Sequence, residues 1–149
     1  MAGSAVDAIE FHTGIADPVG FAVRMLRKAY RQGARVLVTA QPPTLENLSR
    51  QLWLAYSNEF IAHVVVARSK AAQAARTPLW LGASVTAASH EPVVVINLGA
   101  AAPADLLRLE RLIEVVSVDA DDAAAGRQRW RQYAAAGFSV NHTPASDST

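Results

Sequence analysis

The sequence predicts an α/β fold of three layers, a mixed and largely parallel sheet flanked by helices. Three observations carry the prediction. Short apolar, β-branched runs recur at Arg35–Ala40 (RVLVTA), Val93–Leu98 (VVVINL) and Ile113–Val116 (IEVV), the composition of strands buried on both faces. Stretches with helical periodicity lie between them. The first strand, helix and strand fit within about 30 residues, the span of a βαβ unit with a right-handed crossover.

Taken in order, Ile9–Thr13 (IEFHT) reads as a strand with Ile9, Phe11 and Thr13 on one side, ended by Gly14. Asp17-Pro18 starts a helix, with Asp as N-cap and Pro at the first helical position, where a missing N–H costs nothing. Ala22, Met25, Leu26, Ala29 and Tyr30 form its apolar stripe, its basic residues are solvated, and Gly33 closes it. Gln41-Pro42-Pro43 is a turn before a second helix capped by Thr44, with Leu45, Leu48 and Leu52 inward. Glu59–Val66 is expected to be a loop and a short strand, and Lys70–Arg76 a mobile loop or single turn. Pro78–Val85 reads as a strand with Leu79 and Leu81 opposite Trp80, and Asp105–Glu110 as a short helix. The last helix, Ala123–Gly137 (AAAGRQRWRQYAAAG), follows Ser117, Asp119, Asp121 and Asp122, which suit its positive end, and Gly137 ends it. Phe138–Asn141 adds an edge strand. A single domain is expected over residues 1–141, with 142–149 a frayed polar tail.

Composition narrows the chemistry. The 149 residues contain no cysteine, which removes disulfides, thiolate nucleophiles and thiolate zinc sites. The net charge of +1 gives no whole-molecule field for nucleic acid, so charge recognition must come from a local patch. No secretory signal or span of about 20 apolar residues is visible, and a soluble cytoplasmic protein is expected.

A doubly wound, Rossmann-like sheet invites a nucleotide, yet the first turn (HTGIADP) has neither phosphate-binding glycine pattern, and Asp17-Pro18 places a negative charge and a missing donor where phosphate needs free N–H groups. His12, His63, His90 and His142 have no metal-ligand spacing, and Ser84, Ser89 and Ser117 have no nucleophile-elbow context. No cofactor, metal or catalytic residue is expected. A nucleotide-dependent or hydrolytic enzyme would need a ligand pocket at the strand ends near Gly14 and Gly99. A direct single-stranded nucleic-acid binder would draw on Arg24, Arg27, Lys28, Arg31, Arg127, Arg129 and Arg131, but its aromatic platform is limited to Trp130 and Tyr133.

The last helix holds the most specific pattern. At about 100° per residue, Arg127, Trp130, Arg131 and Ala134 share one face, with Ala123 a turn earlier. That face is either Trp130 as core with solvated arginines, or a recognition site for a carboxylate or an acidic, apolar peptide.

The chain resembles the chi subunit family of bacterial DNA polymerase III holoenzyme. The likeness runs through Ile9–Thr13, Ala22–Val38, Gln51–Trp53 with Phe60, Ile61 and His63, Val93–Gly99, Leu112–Ser117 and Gly126–Phe138 (GRQRWRQYAAAGF). The resemblance implies a noncatalytic adaptor that pairs with the psi subunit at the clamp loader. It also implies a grip on the acidic C-terminal tail of single-stranded DNA-binding protein, and so indirect contact with single-stranded DNA. On that likeness Arg127 or Arg131 would pair with the tail's terminal carboxylate, and Trp130 and Val118 would wall its last apolar side chain. The psi contact would lie around Trp53, Phe60 and Ile61. Family members often carry Lys where this chain has Ala123, so that charge is lost or supplied from Arg129 or elsewhere.

Overall fold

The computed structural model describes residues 8–54, 63–65, 79–83, 94–103, 109 and 111–145. The elements run β1 (Ala8–Ile15), α1 (Pro18–Arg31), β2 (Val36–Thr39), α2 (Pro42–Leu54), β3 (Val64–Val65), β4 (Leu79–Gly82), β5 (Val94–Asn97), β6 (Arg111–Ser117), α3 (Ala120–Ala135) and β7 (Ser139–Pro144). Among the described residues seven strands form one sheet ordered β3-β4-β2-β5-β6-β1-β7. Every described pairing is parallel, in keeping with the largely parallel sheet expected.

Side-chain alternation divides the core into two layers, because successive strand residues point to opposite faces. Val36, Val38, Leu79, Leu81, Ile96, Ile113 and Val115 pack under α1 and α2 with Leu26, Leu45, Leu48 and Leu52. Ile9, Phe11, Leu37, Trp80, Val95, Leu112 and Val116 pack on the other face with Tyr133 of α3. Leu79 and Leu81 thus oppose Trp80, as their alternation predicts.

Local chemistry explains most boundaries. Asp17 caps α1 by accepting from the Gly20 N–H at 3.0 Å, and Pro18 opens the helix. α2 begins at Pro42, not after a turn capped by Thr44: the Gln41 carbonyl accepts from the Leu45 N–H at 3.1 Å, and proline suits a first turn whose N–H groups lack helical partners. β1 continues past Gly14 to Ile15, and its register against β6 shifts between His12 and Ile15, with Gly14 at φ +70° in the bulge. α3 starts at Ala120, ahead of the expected Ala123, because Asp119 accepts from the Asp122 N–H at 3.1 Å and so brings Asp121 and Asp122 into the first turn.

β7 is the edge strand, but it reaches Pro144, so His142–Pro144 belong to the sheet where a frayed tail was expected from residue 142. Parallel pairing with β1 and the bond from the Ala145 N–H to the Thr13 carbonyl at 2.9 Å hold it there. The expected loop at Lys70–Arg76 lies outside the described residues, as does the expected short helix at Asp105–Glu110 apart from Leu109.

Candidate functional site

A buried network on β6 sets the rotation of α3. Leu112, Glu114 and Val116 face α3, and Glu114 is completely buried. Arg129 Nε donates to Glu114 Oε1 at 3.0 Å, while the Tyr133 hydroxyl and Asn97 Nδ2, the latter at 3.0 Å, donate to Oε2. Thr39 Oγ1 donates to Asn97 Oδ1 at 3.1 Å, carrying the network to the next strand. Burial pushes the Glu114 carboxyl above its ordinary range, while Arg129, Tyr133 and Asn97 pull it back. Burial, together with the neighbouring Glu114 carboxylate, also holds the Tyr133 phenol well above its usual value, so it stays a proton donor.

This network corrects one expectation. Arg129 is buried against Glu114, so it does not supply the charge missing at Ala123. The signal was present in the sequence: Glu114 alternates with Leu112 and Val116, which places a carboxylate on an apolar face, where it requires a cation and donors.

With Arg129 and Tyr133 turned inward, the neighbouring stripe of α3 faces a cleft of about 500 Å³. Ala123, Gly126, Arg127 and Trp130 form its helical wall, Phe11, Thr13 and Gly14 its β1 wall, and Val116–Val118 and His142 complete it. The stripe begins at Ala123, the residue that sequence spacing sets one turn before Arg127. Of the face that spacing picks out, Arg127 and Trp130 line the cleft; Arg131 and Ala134 are exposed outside the lining. Arg131 projects about 90° from the middle of the lining stripe, and Ala134 sits a turn beyond it. Val118 is 66% exposed at the rim.

Close approach shapes the cleft floor. A Cβ on Gly126 would lie 2.9 Å from Val116 Cγ2, so only glycine lets α3 sit this low on β6. Trp130 is half-buried, packing on Phe11 at 5.0 Å between ring centroids and meeting His142 in a T-shaped pair at 5.7 Å. Arg127 is exposed and has no ion pair among the described residues. The α3 N-terminus is occupied: Asp119 caps it, and Asp122 Oδ2 accepts from the Ser117 N–H at 2.7 Å.

A second feature is apolar. Trp53 and Leu54, at the end of α2, are 53% and 74% exposed. The Trp53 ring stands 5.0 Å from that of His63, whose Nε2 is 3.0 Å from Ser49 Oγ. Phe60 and Ile61, expected beside Trp53, lie outside the described residues. Among the described residues no cluster of ligating side chains could hold a metal ion, and no helix is long and apolar enough to cross a membrane.

These features define a parallel three-layer α/β protein with a cation-bearing aromatic cleft at the carboxyl ends of β1 and β6, where such sheets receive ligands. The family model of the DNA polymerase III chi subunit, HolC, matches residues 7–141, and the chain belongs to that family. It is thus a DNA replication protein, an accessory subunit associated with the DNA polymerase III complex. Comparison with individually curated proteins returned no match.

Proposed function

We propose that this subunit is a noncatalytic adaptor whose α3 cleft grips the acidic C-terminal tail of single-stranded DNA-binding protein while the end of α2 binds psi. The observation that carries the reading is the joint placement of Arg127 and Trp130 on one cleft. A guanidinium pairs with a terminal carboxylate through a planar fork, and the indole, Val118 and Phe11 offer apolar wall to the last side chain. Ala123 adds wall but no charge. Charge-assisted bonds of about 1.5–3 kcal/mol, reduced by ordering costs, give micromolar and salt-sensitive affinity. Such binding exchanges quickly, as a moving replication complex requires.

Psi would cover Trp53 and Leu54, whose exposed apolar surface suits a partner anchored by an aromatic side chain. The adaptor would then contact single-stranded DNA only through the protein that coats it.

The test is calorimetric titration of the full chain with a synthetic acidic peptide ending in an apolar residue with a free carboxylate. Arg127→Ala and Trp130→Ala should each remove measurable binding while the thermal melt moves little. Arg131→Ala, outside the cleft lining, should weaken binding only through its general charge. Unchanged binding in both cleft variants would refute the site.

A further inference from the structure

We propose that His142 is a second, proton-dependent cationic contact for the peptide carboxylates in the α3 cleft, so that affinity rises as pH falls. This rests on the peptide-binding reading above and adds a residue and a regulation to it. β7 carries His142 into the same cleft as Arg127 and Trp130. The imidazole is held there from two sides: its Nε2 is hydrogen-bonded to Thr13 Oγ1, and its ring pairs with Trp130 at 84°. A hydroxyl both gives and accepts hydrogen bonds, so the Thr13 contact survives a change in the charge of the ring. Whichever tautomer the neutral ring holds, protonation places a hydrogen on both ring nitrogens, so the charged ring is anchored at Nε2 and carries a donor at Nδ1.

The surrounding charges favour linkage to an anion. From β1, the neighbours on this face are Phe11 and Thr13, both uncharged. Glu10 and His12 lie on the opposite face, where Glu10 pairs with Arg111 and His12 packs on Phe21. From α3, Arg127 lines the cleft, Arg129 is turned onto Glu114, Asp122 is engaged by the Ser117 N–H, and Arg131 lies outside the lining. Asp119 is spent on the cap of α3. A carboxylate bound beside the ring favours its charged form, because opposite charges attract at short range. Binding therefore takes up protons, and a ligand that is bound with proton uptake binds more tightly at lower pH.

The experiment titrates the full chain with the same synthetic peptide at about pH 8, 7 and 6, where peptide carboxylates stay ionised and an imidazole changes charge. Affinity should rise roughly three- to tenfold across that range. Calorimetry in two buffers of different ionisation enthalpy should show net proton uptake. His142→Gln, which keeps a polar side chain but cannot titrate, should lose both the slope and the uptake. A flat wild-type profile, or an equal slope in His142→Gln, overturns the proposal while loss of binding in Arg127→Ala still supports the cleft. No wild-type binding at any pH overturns the cleft reading itself.

Discussion

Arg129 Nε lies 3.0 Å from Glu114 Oε1 with both side chains buried, whereas Arg127, two residues earlier on the same helix, is exposed at the cleft. The two arginines point roughly 200° apart around α3, so fastening one to β6 fixes the direction of the other. The buried pair is the rotational index of the helix. Arg129 Nη2 is buried with no hydrogen-bond partner among the described residues, so the Glu114 carboxylate is the described group that offsets the buried cation.

Glu114→Ala should therefore cost about 3–5 kcal/mol, because it leaves a buried guanidinium uncompensated. Combining it with Arg129→Met should cost less than the sum of the two single changes, with a coupling of about 0.5–3 kcal/mol. Chemical denaturation of the four proteins measures this directly. Strict additivity would mean that the pair does not act as a unit.

Gly126→Ala gains about 1 kcal/mol of helix propensity but forces a Cβ toward Val116. The steric term should win, since overpacking costs about 1–3 kcal/mol, and a second change, Val116→Ala, should recover part of the loss. The same variant should narrow the cleft floor, so peptide affinity should fall with it. A more stable Gly126→Ala protein would show that α3 can rise from β6 without penalty.

Burial holds His12 below the ordinary imidazole value; the Glu10 carboxylate opposes the shift, and Arg111 reinforces it. The folded state thus prefers the neutral ring, and the unfolded chain takes up the proton first on acidification. Stability contributed by His12 is full above the unfolded pKa of about 6.5 and is lost as pH falls through it. Burial of Glu114 acts with the opposite sign, because a raised carboxyl favours the folded state on acidification. The difference between wild type and His12→Gln isolates the imidazole. That difference in unfolding free energy should shrink between about pH 7 and pH 5, by no more than about 1.4 kcal/mol per pH unit.

On the proposed psi contact, Trp53→Ala should weaken co-purification with psi by tenfold or more, in keeping with an aromatic anchor worth about 2 kcal/mol. The thermal melt should change little, since the ring is 53% exposed. Retained psi binding by Trp53→Ala and by Leu54→Ser would refute the proposed contact.

What the sequence determined by itself was what neighbours along the chain decide. Asp17-Pro18 begins α1 because one carboxylate reaches a backbone N–H three residues on, and the alternation of Leu79, Trp80 and Leu81 assigns faces because strand geometry allows nothing else. The family likeness was legible for a related reason: GRQRWRQY combines a glycine required by close packing, an inward arginine and an outward arginine–tryptophan pair in one run. Tertiary structure alone decided which arginine does which task. Arg127, Arg129 and Arg131 are chemically identical, and their helical spacing leaves the rotation of α3 open until Glu114, a strand away, selects Arg129. His142 was read as tail because its segment is polar and short, yet pairing with β1 carries it into the cleft beside Trp130. Hydrogen bonds between segments far apart in sequence made that choice, and local composition holds no record of them.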